Sequence, residues 1–148
     1  MSPRTAATLF CLLTVSCTHS HAQVPDQVTA LIAKAEKSVK TVDMATLKSV
    51  INSKQAALII DVREPEEYAT GHLPGAINIP RGVIEFAIWK HVGSGKRQDG
   101  SKKVYLYCQS GPRAVLATKT VQDLGLKNVF AVVMDIGKWK AAGLPFTK

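Results

Sequence analysis

Cys108 is the residue of this chain whose position best suits nucleophilic chemistry. It follows the β-branched and aromatic run at residues 104–107 and opens a loop, residues 108–113, after which a helical pattern begins. Backbone N–H groups at a helix N-terminus favour an anion, and the neighbouring Arg113 adds a positive charge. The pattern therefore predicts that Cys108 is a catalytic thiolate, the alternative being a small buried apolar residue.

The rest of this loop is predicted to bind an anionic substrate. Its backbone N–H groups form a cradle, although Pro112 has no N–H and removes one donor. Arg113 can pair with substrate oxygens through its planar guanidinium group. The predicted substrate-binding residues of the loop are Gln109, Ser110, Gly111 and Arg113.

Arg63 is a further candidate at the end of another predicted strand. It follows Asp61 by two residues, which favours a structural ion pair that fixes the loop. The alternative is that Arg63 faces the anion site, and we therefore include it among the predicted substrate-binding residues.

Alternating apolar segments predict the elements that must position these residues. A continuous apolar run, as at residues 56–62, is typical of a strand buried on both faces of a parallel sheet. Strands and helices alternate along the chain, which predicts an α/β fold with a central parallel sheet flanked by helices on both faces. The predicted strands are 56–62, 76–79, 104–107 and 128–133; the predicted helices are 28–39, 43–51, 65–68, 83–89, 113–124 and 136–142. Residues 91–103, rich in Gly, Lys, Arg and Ser, are predicted to form a mobile surface loop.

The first 22 residues are typical of a secretory signal peptide. They carry one positive charge at Arg4, an apolar stretch at residues 6–15 and the cleavage-site pattern Ser20-His21-Ala22. The apolar stretch is shorter than the roughly 20 residues of a membrane-spanning helix. These features predict an exported, periplasmic protein without an integral membrane segment. Cleavage before Cys17 and lipid attachment there is the alternative.

Cysteine content and charge limit the chemistry of the mature chain. Cleavage after Ala22 removes Cys11 and Cys17, so Cys108 would be the only cysteine and no internal disulfide could form. The formal net charge is +8 for the full sequence, which suits small anionic substrates. The lysines are scattered rather than clustered, which argues against nucleic acid as a partner. No Cys or His spacing indicates a metal site, and no cofactor is implied.

Three segments together resemble the rhodanese-like sulfurtransferases. They are the run from Asp61 to Tyr68 continued by residues 71–80, the loop at residues 108–113, and Trp139 with residues 142–145. The resemblance extends from about Val42 to Phe146. Together with the signal-peptide pattern and the helical spacing that follows it, the resemblance divides the chain into a signal peptide (1–22), an N-terminal amphipathic helix (23–40) and a rhodanese-like domain (41–148).

The resemblance implies a thiosulfate sulfurtransferase that works through a persulfide on Cys108. The donor would be a small anion such as thiosulfate, and the acceptor would be cyanide, a thiol or a protein. Four residues separate Cys108 from Arg113, whereas Cys-dependent phosphatases would require five, so sulfur transfer is preferred. The alternatives are a non-enzymatic module that senses sulfane sulfur or docks a partner, and a thiol redox protein whose second cysteine a partner supplies.

Two departures from the family pattern concern the substrate. Ala114 stands where many relatives have Ser, and Met134-Asp135 replaces the Gly-Gly pair that usually precedes the C-terminal Trp. Asp135 is expected to place a carboxylate near the mouth of the site and to disfavour anionic donors. His72 is predicted to be a turn residue, and Trp89 and Trp139 are predicted to pack in the core.

Overall fold

The computed structural model describes residues 24–53, 56–93, 95 and 100–148, and within these ranges five strands form one parallel sheet. The strands are β1 (Thr41–Asp43), β2 (Ala57–Asp61), β3 (Ile77–Asn78), β4 (Lys103–Tyr107) and β5 (Val129–Val133). Their order across the sheet is β1-β5-β4-β2-β3. The long apolar strands β2 and β4 lie side by side, with Asp61 aligned with Tyr107.

Helices cover both faces of this sheet. They are α1 (Asp26–Glu36), α2 (Met44–Asn52), α3 (Pro65–Ala69), α4 (Ile84–Ala87), α5 (Trp89–Val92), α6 (Pro112–Asp123) and α7 (Ile136–Ala141), with a 3₁₀ turn at Arg81–Val83. The helices α4, α5 and α6 pack on one face, and α1 packs over α6 through Ala35 and Val115. The helices α2 and α7 pack on the other face. The predicted fold class is confirmed.

Alternation along the strands divides the core into these two layers. Ile60 and Leu106 point into the layer beneath α6, whereas Ile59 and Tyr105 point into the layer beneath α2 and α7. Cys108 continues the Leu106 side and is 1% exposed. Trp139 is fully buried in the opposite layer, as the sequence predicted.

Two elements differ from the sequence prediction. The helical segment predicted at residues 83–89 starts with the turn at Arg81 and runs to Val92, with an irregularity at Ile88. The helical segment is longer than predicted because Val92, one turn after Ile88, is also buried. Its burial extends the apolar face of the helix into residues that were predicted to form a loop. Strand β1 was not predicted because its three residues lack a readable alternation, and only pairing with β5 defines it.

Two sequence predictions fall wholly or partly outside the described residues. The signal peptide (1–22) lies outside them entirely, and the loop predicted at 91–103 is described only in part. In the described ranges, no helix is long and apolar enough to cross a membrane.

The parallel sheet collects the candidate residues at one edge. Strands β2, β4 and β5 all run in the same direction, so the segments after Asp61, Tyr107 and Val133 emerge together at their carboxyl ends. Ligand sites of open α/β sheets lie at this edge.

Candidate active site

The loop between β4 and α6 wraps around the sulfur of Cys108. The Gly111 backbone N–H donates a hydrogen bond to Cys108 Sγ over 3.2 Å. Gly111 precedes the first residue of α6 and has φ of 108°, a conformation that favours glycine. Pro112 occupies the first turn of α6, where its fixed φ suits a helix start. The sulfur therefore lies at the N-terminal end of a 12-residue helix, where the helix dipole stabilises an anion.

The other side of the loop is held by α7. The backbone oxygen of Gln109 accepts a hydrogen bond from the Ile136 N–H at 3.0 Å. Asp135 begins this helix by accepting a hydrogen bond from the Lys138 N–H at 2.8 Å. These bonds fix the loop from outside, while the side chains of Gln109 and Ser110 stay exposed.

A cavity of about 340 Å³ opens beside the loop. It is lined by Met44, Ser110, Val133, Met134, Asp135 and Lys138. The carboxylate of Asp135 thus lies beside the Cys108 loop, where the sequence analysis expected it. Ser110 connects this cavity to the loop.

The guanidinium group of Arg113 is bound to a carboxylate. Its two terminal nitrogens, Nη1 and Nη2, donate hydrogen bonds to Glu67 at 2.6 and 2.8 Å. Both side chains are about one third exposed, at 34% and 35%. No local sequence pattern assigns a role to Glu67, because only the fold brings α3 against the start of α6.

The charges of this pair stabilise each other. Hydrogen bonds from Arg113 lower the pKa of Glu67 to about 2 despite its partial burial. The hydrogen bonds to Glu67 raise the pKa of Arg113, and interactions with Cys108 raise it further. The guanidinium group therefore stays charged beside Glu67 in the first turn of α6, two residues after Gly111.

Arg63 is bound inside the protein rather than free at the mouth. Its Nε donates to both carboxylate oxygens of Asp61 at 3.0 and 2.9 Å, and its Nη2 donates to Asp61 at 2.6 Å and to the Gly71 carbonyl at 2.7 Å. The side chain is 3% exposed. Burial is the largest single effect and opposes the charge, but the hydrogen bonds with Asp61 and the Coulomb interactions with Asp61, Tyr107 and Glu67 together outweigh it and raise the pKa of Arg63. This geometry favours the structural pair over substrate binding.

His72 also has structural contacts. Its ring stacks on Tyr68 with centroids 3.8 Å apart, and its backbone pairs with Thr147. These contacts are structural, but His72 forms an isolated antiparallel bridge with Thr147, and the predicted turn follows it at residues 74–75. In the described part of the chain, no three His, Cys, Asp or Glu side chains are grouped in a way that could hold a metal ion.

Residues 43–142 match the rhodanese-like domain family, and the chain belongs to that family. The human thiosulfate:glutathione sulfurtransferase is 35% identical, a similarity that covers 57% of this chain and 79% of the human protein. The Bacillus subtilis protein YrkF is 32% identical over 69% of this chain, which spans about half (51%) of that relative.

A solved structure extends the similarity to three dimensions. A Rhodopseudomonas palustris protein of unknown function, described as a possible tyrosine phosphatase, superposes with a TM-score of 0.68 and 32% identity. The match covers 80% of this chain and 92% of that protein. A rhodanese-related protein from Thermoplasma volcanium shares the fold with a TM-score of 0.58 and 30% identity, over 73% of this chain and 97% of that protein. The family match and this shared fold together place the chain among the rhodanese-like proteins.

Proposed function

We propose that this chain is an exported sulfurtransferase that carries a sulfane sulfur on Cys108. The observation that carries the proposal is the buried Cys108 sulfur, which accepts the Gly111 N–H at the N-terminus of α6. The naming of the human relative as a thiosulfate:glutathione sulfurtransferase supports the same chemistry.

Sulfur transfer takes place in two displacements. The Cys108 thiolate attacks the outer sulfur of a donor such as thiosulfate, the S–S bond of the donor breaks, and sulfite leaves with the electron pair. An acceptor, cyanide or a thiolate, then attacks the outer sulfur of the persulfide and releases the Cys108 thiolate. The persulfide is also an anion, so the N–H donors of the loop stabilise the enzyme in both states.

Phosphate-ester hydrolysis is the competing chemistry for a cysteine in such a loop. The four-residue spacing makes a short cradle, and Glu67 already occupies both terminal nitrogens of Arg113. A phosphoryl group spreads its charge over three equatorial oxygens in the transition state and would need more donors than the N–H groups that Glu67 leaves free on Arg113. We therefore expect no hydrolysis of p-nitrophenyl phosphate by the purified protein.

Cys108→Ser should abolish sulfur transfer and leave the fold intact. A serine hydroxyl is similar in size but is not an anion at neutral pH and cannot carry a persulfide. Mass spectrometry of the protein after incubation with thiosulfate should show one added sulfur atom in the wild type and none in the variant. The free energy of unfolding in urea should differ between the variant and the wild type by about 1 kcal/mol or less. A folded Ser variant with substantial thiosulfate:cyanide turnover would contradict the proposal.

A further inference from the structure

The ion pair between Arg113 and Glu67 places a negative charge beside the reactive cysteine. Arg113 donates hydrogen bonds of 2.6 and 2.8 Å to Glu67 and follows by two residues Gly111, whose N–H binds the Cys108 sulfur. The Glu67 carboxylate therefore lies at the first turn of α6, the helix whose N-terminal end carries the sulfur contact. About a third of each side chain is open to solvent, so both charges can act on an anionic donor near this end of the helix.

We propose that Glu67 is a specificity-determining residue that disfavours doubly negative sulfur donors relative to singly negative ones. The inference rests on the sulfur-transfer function proposed above and names the donor class that the site prefers. Glu67 neutralises the charge of Arg113, so the mouth offers an incoming anion no net positive charge from this pair. Each negative charge on the donor is also repelled by the carboxylate.

The position of Glu67 is fixed by its own helix. Its Oε2 atom accepts a hydrogen bond from the Glu64 backbone N–H at 3.2 Å, within a capping box at the start of α3. Pro65 stiffens the same turn. The carboxylate is thus held from two sides, by the Glu64 N–H and by Arg113, and does not move away freely when a donor enters.

Two donors separate the charge effect from the chemistry. Thiosulfate carries two negative charges, and methanethiosulfonate carries one because a methyl group replaces an anionic oxygen. In both, the Cys108 thiolate attacks the outer sulfur and the S–S bond breaks; sulfite or methanesulfinate leaves with the electron pair. In the wild type, the Glu67 carboxylate should therefore lower kcat/KM more for thiosulfate than for methanethiosulfonate.

The test compares Glu67→Gln with the control Glu66→Gln. A glutamine at position 67 keeps an oxygen for the capping box, and Glu66 is an exposed neighbour on α3 whose replacement changes the net charge equally. Glu67→Gln should raise the ratio of kcat/KM for thiosulfate to that for methanethiosulfonate by roughly three- to tenfold, the scale of one extra charge interaction at the protein surface. Glu66→Gln should leave the ratio within about twofold.

The dependence of kcat/KM on ionic strength and a second substitution provide two further tests of the role of Glu67. With Glu67→Gln, the thiosulfate kcat/KM should fall more steeply with ionic strength than in the wild type, because Arg113 is no longer neutralised. In an Arg113→Ala background, the salt dependence should weaken again. A thermal melt of each variant establishes that the fold is intact.

The outcomes distinguish this inference from the proposed function. If wild-type Cys108 takes up sulfur from both donors and Glu67→Gln leaves the donor ratio and salt dependence unchanged, the role of Glu67 in specificity is overturned and sulfur transfer stands. An equal loss with both donors would make Glu67 a structural residue only, with the same consequence. If no donor loads Cys108 in the wild type, sulfur transfer itself fails and the specificity inference fails with it.

Discussion

At Arg113, one guanidinium group binds a carboxylate in the first turn of the helix whose N-terminal end carries the Cys108 sulfur contact. The sequence predicts that its planar fork binds substrate oxygens, and the structure directs its two terminal nitrogens to Glu67. The remaining N–H groups and the charge are what a donor can use. Arg113 therefore influences anion binding partly by masking Glu67.

Arg113→Ala should lower kcat/KM for thiosulfate about ten- to hundredfold, since a charge-assisted hydrogen bond contributes roughly 1.5–3 kcal/mol. Part of the loss comes from the unmasked Glu67 carboxylate, so the double variant Arg113→Ala/Glu67→Gln should recover a fraction of it. Arg113→Lys should also recover only a part, because a point charge does not reproduce the bidentate geometry. Steady-state thiosulfate:cyanide kinetics measure all three. Unchanged kinetics in Arg113→Ala would remove the residue from the site.

Replacement of Arg63 tests whether this arginine, which is paired with Asp61, is structural or binds substrate. Arg63→Ala leaves the fully buried Asp61 carboxylate without its ionic partner, which should cost about 3–5 kcal/mol of unfolding free energy. Arg81→Ala removes an exposed cation instead and should change stability by about 0.5 kcal/mol or less. Urea denaturation compares the two variants.

The activity of the same variants completes this test. Persulfide loading per folded molecule should remain near the wild-type level in Arg63→Ala at a temperature where the variant is folded. A stable Arg63→Ala protein that specifically loses the use of thiosulfate would instead assign Arg63 to substrate binding.

At the scale of elements, the site is a junction of three segments around one loop. Helix α6 provides the N-terminal end behind Cys108, α3 provides Glu67, and the start of α7 holds the Gln109 carbonyl. The contact at Cys108 is local, whereas the other two join elements that are distant in sequence, and the Glu67–Arg113 pair spans 46 positions.

The pair between α3 and α6 should make stability depend on pH in the acid range. The pKa of Glu67 is lowered from its ordinary value of 4.5 to about 2, so its contribution is complete above about pH 5 and is lost as the pH falls towards 2. Because both side chains are one third exposed, we expect a contribution of about 1 kcal/mol or less. Urea unfolding of Glu67→Gln should show a flatter loss of stability between about pH 5 and pH 2 than the wild type and Glu66→Gln show. Equal acid slopes in all three proteins would indicate that the pair adds nothing to the fold.

At the scale of the whole molecule, the remaining proposal concerns export. The cleavage-site pattern predicts a mature chain that starts at Gln23, without lipid, and with Cys108 as its only cysteine. Intact-mass measurement of the protein recovered from the periplasm of a bacterial host reads the mature N-terminus directly. A diacylated chain that begins at Cys17 would replace the soluble form with one anchored to a membrane surface.

Much of the fold was predictable from local patterns. The continuous apolar runs predicted β2, β4 and β5 within one or two residues, since a strand buried on both faces has no polar positions. The helix cap at Asp43 also follows from local sequence, because its side chain accepts the N–H of the residue three positions ahead. Strand β1 could not be predicted, because three residues are too few to show the alternation of a strand.

The sequence by itself determined where the candidate nucleophile lies, because a cysteine between a strand and a helix depends on neighbouring residues alone. It also determined the α/β class, since the periods of strand and helix are local properties. The tertiary structure decided what the arginines do. Arg63 is turned inward to Asp61 and Gly71, and Arg113 is joined to Glu67. These pairings depend on which helix and strand ends meet at the carboxyl edge of the sheet. No local pattern along the chain encodes how close those ends lie in space.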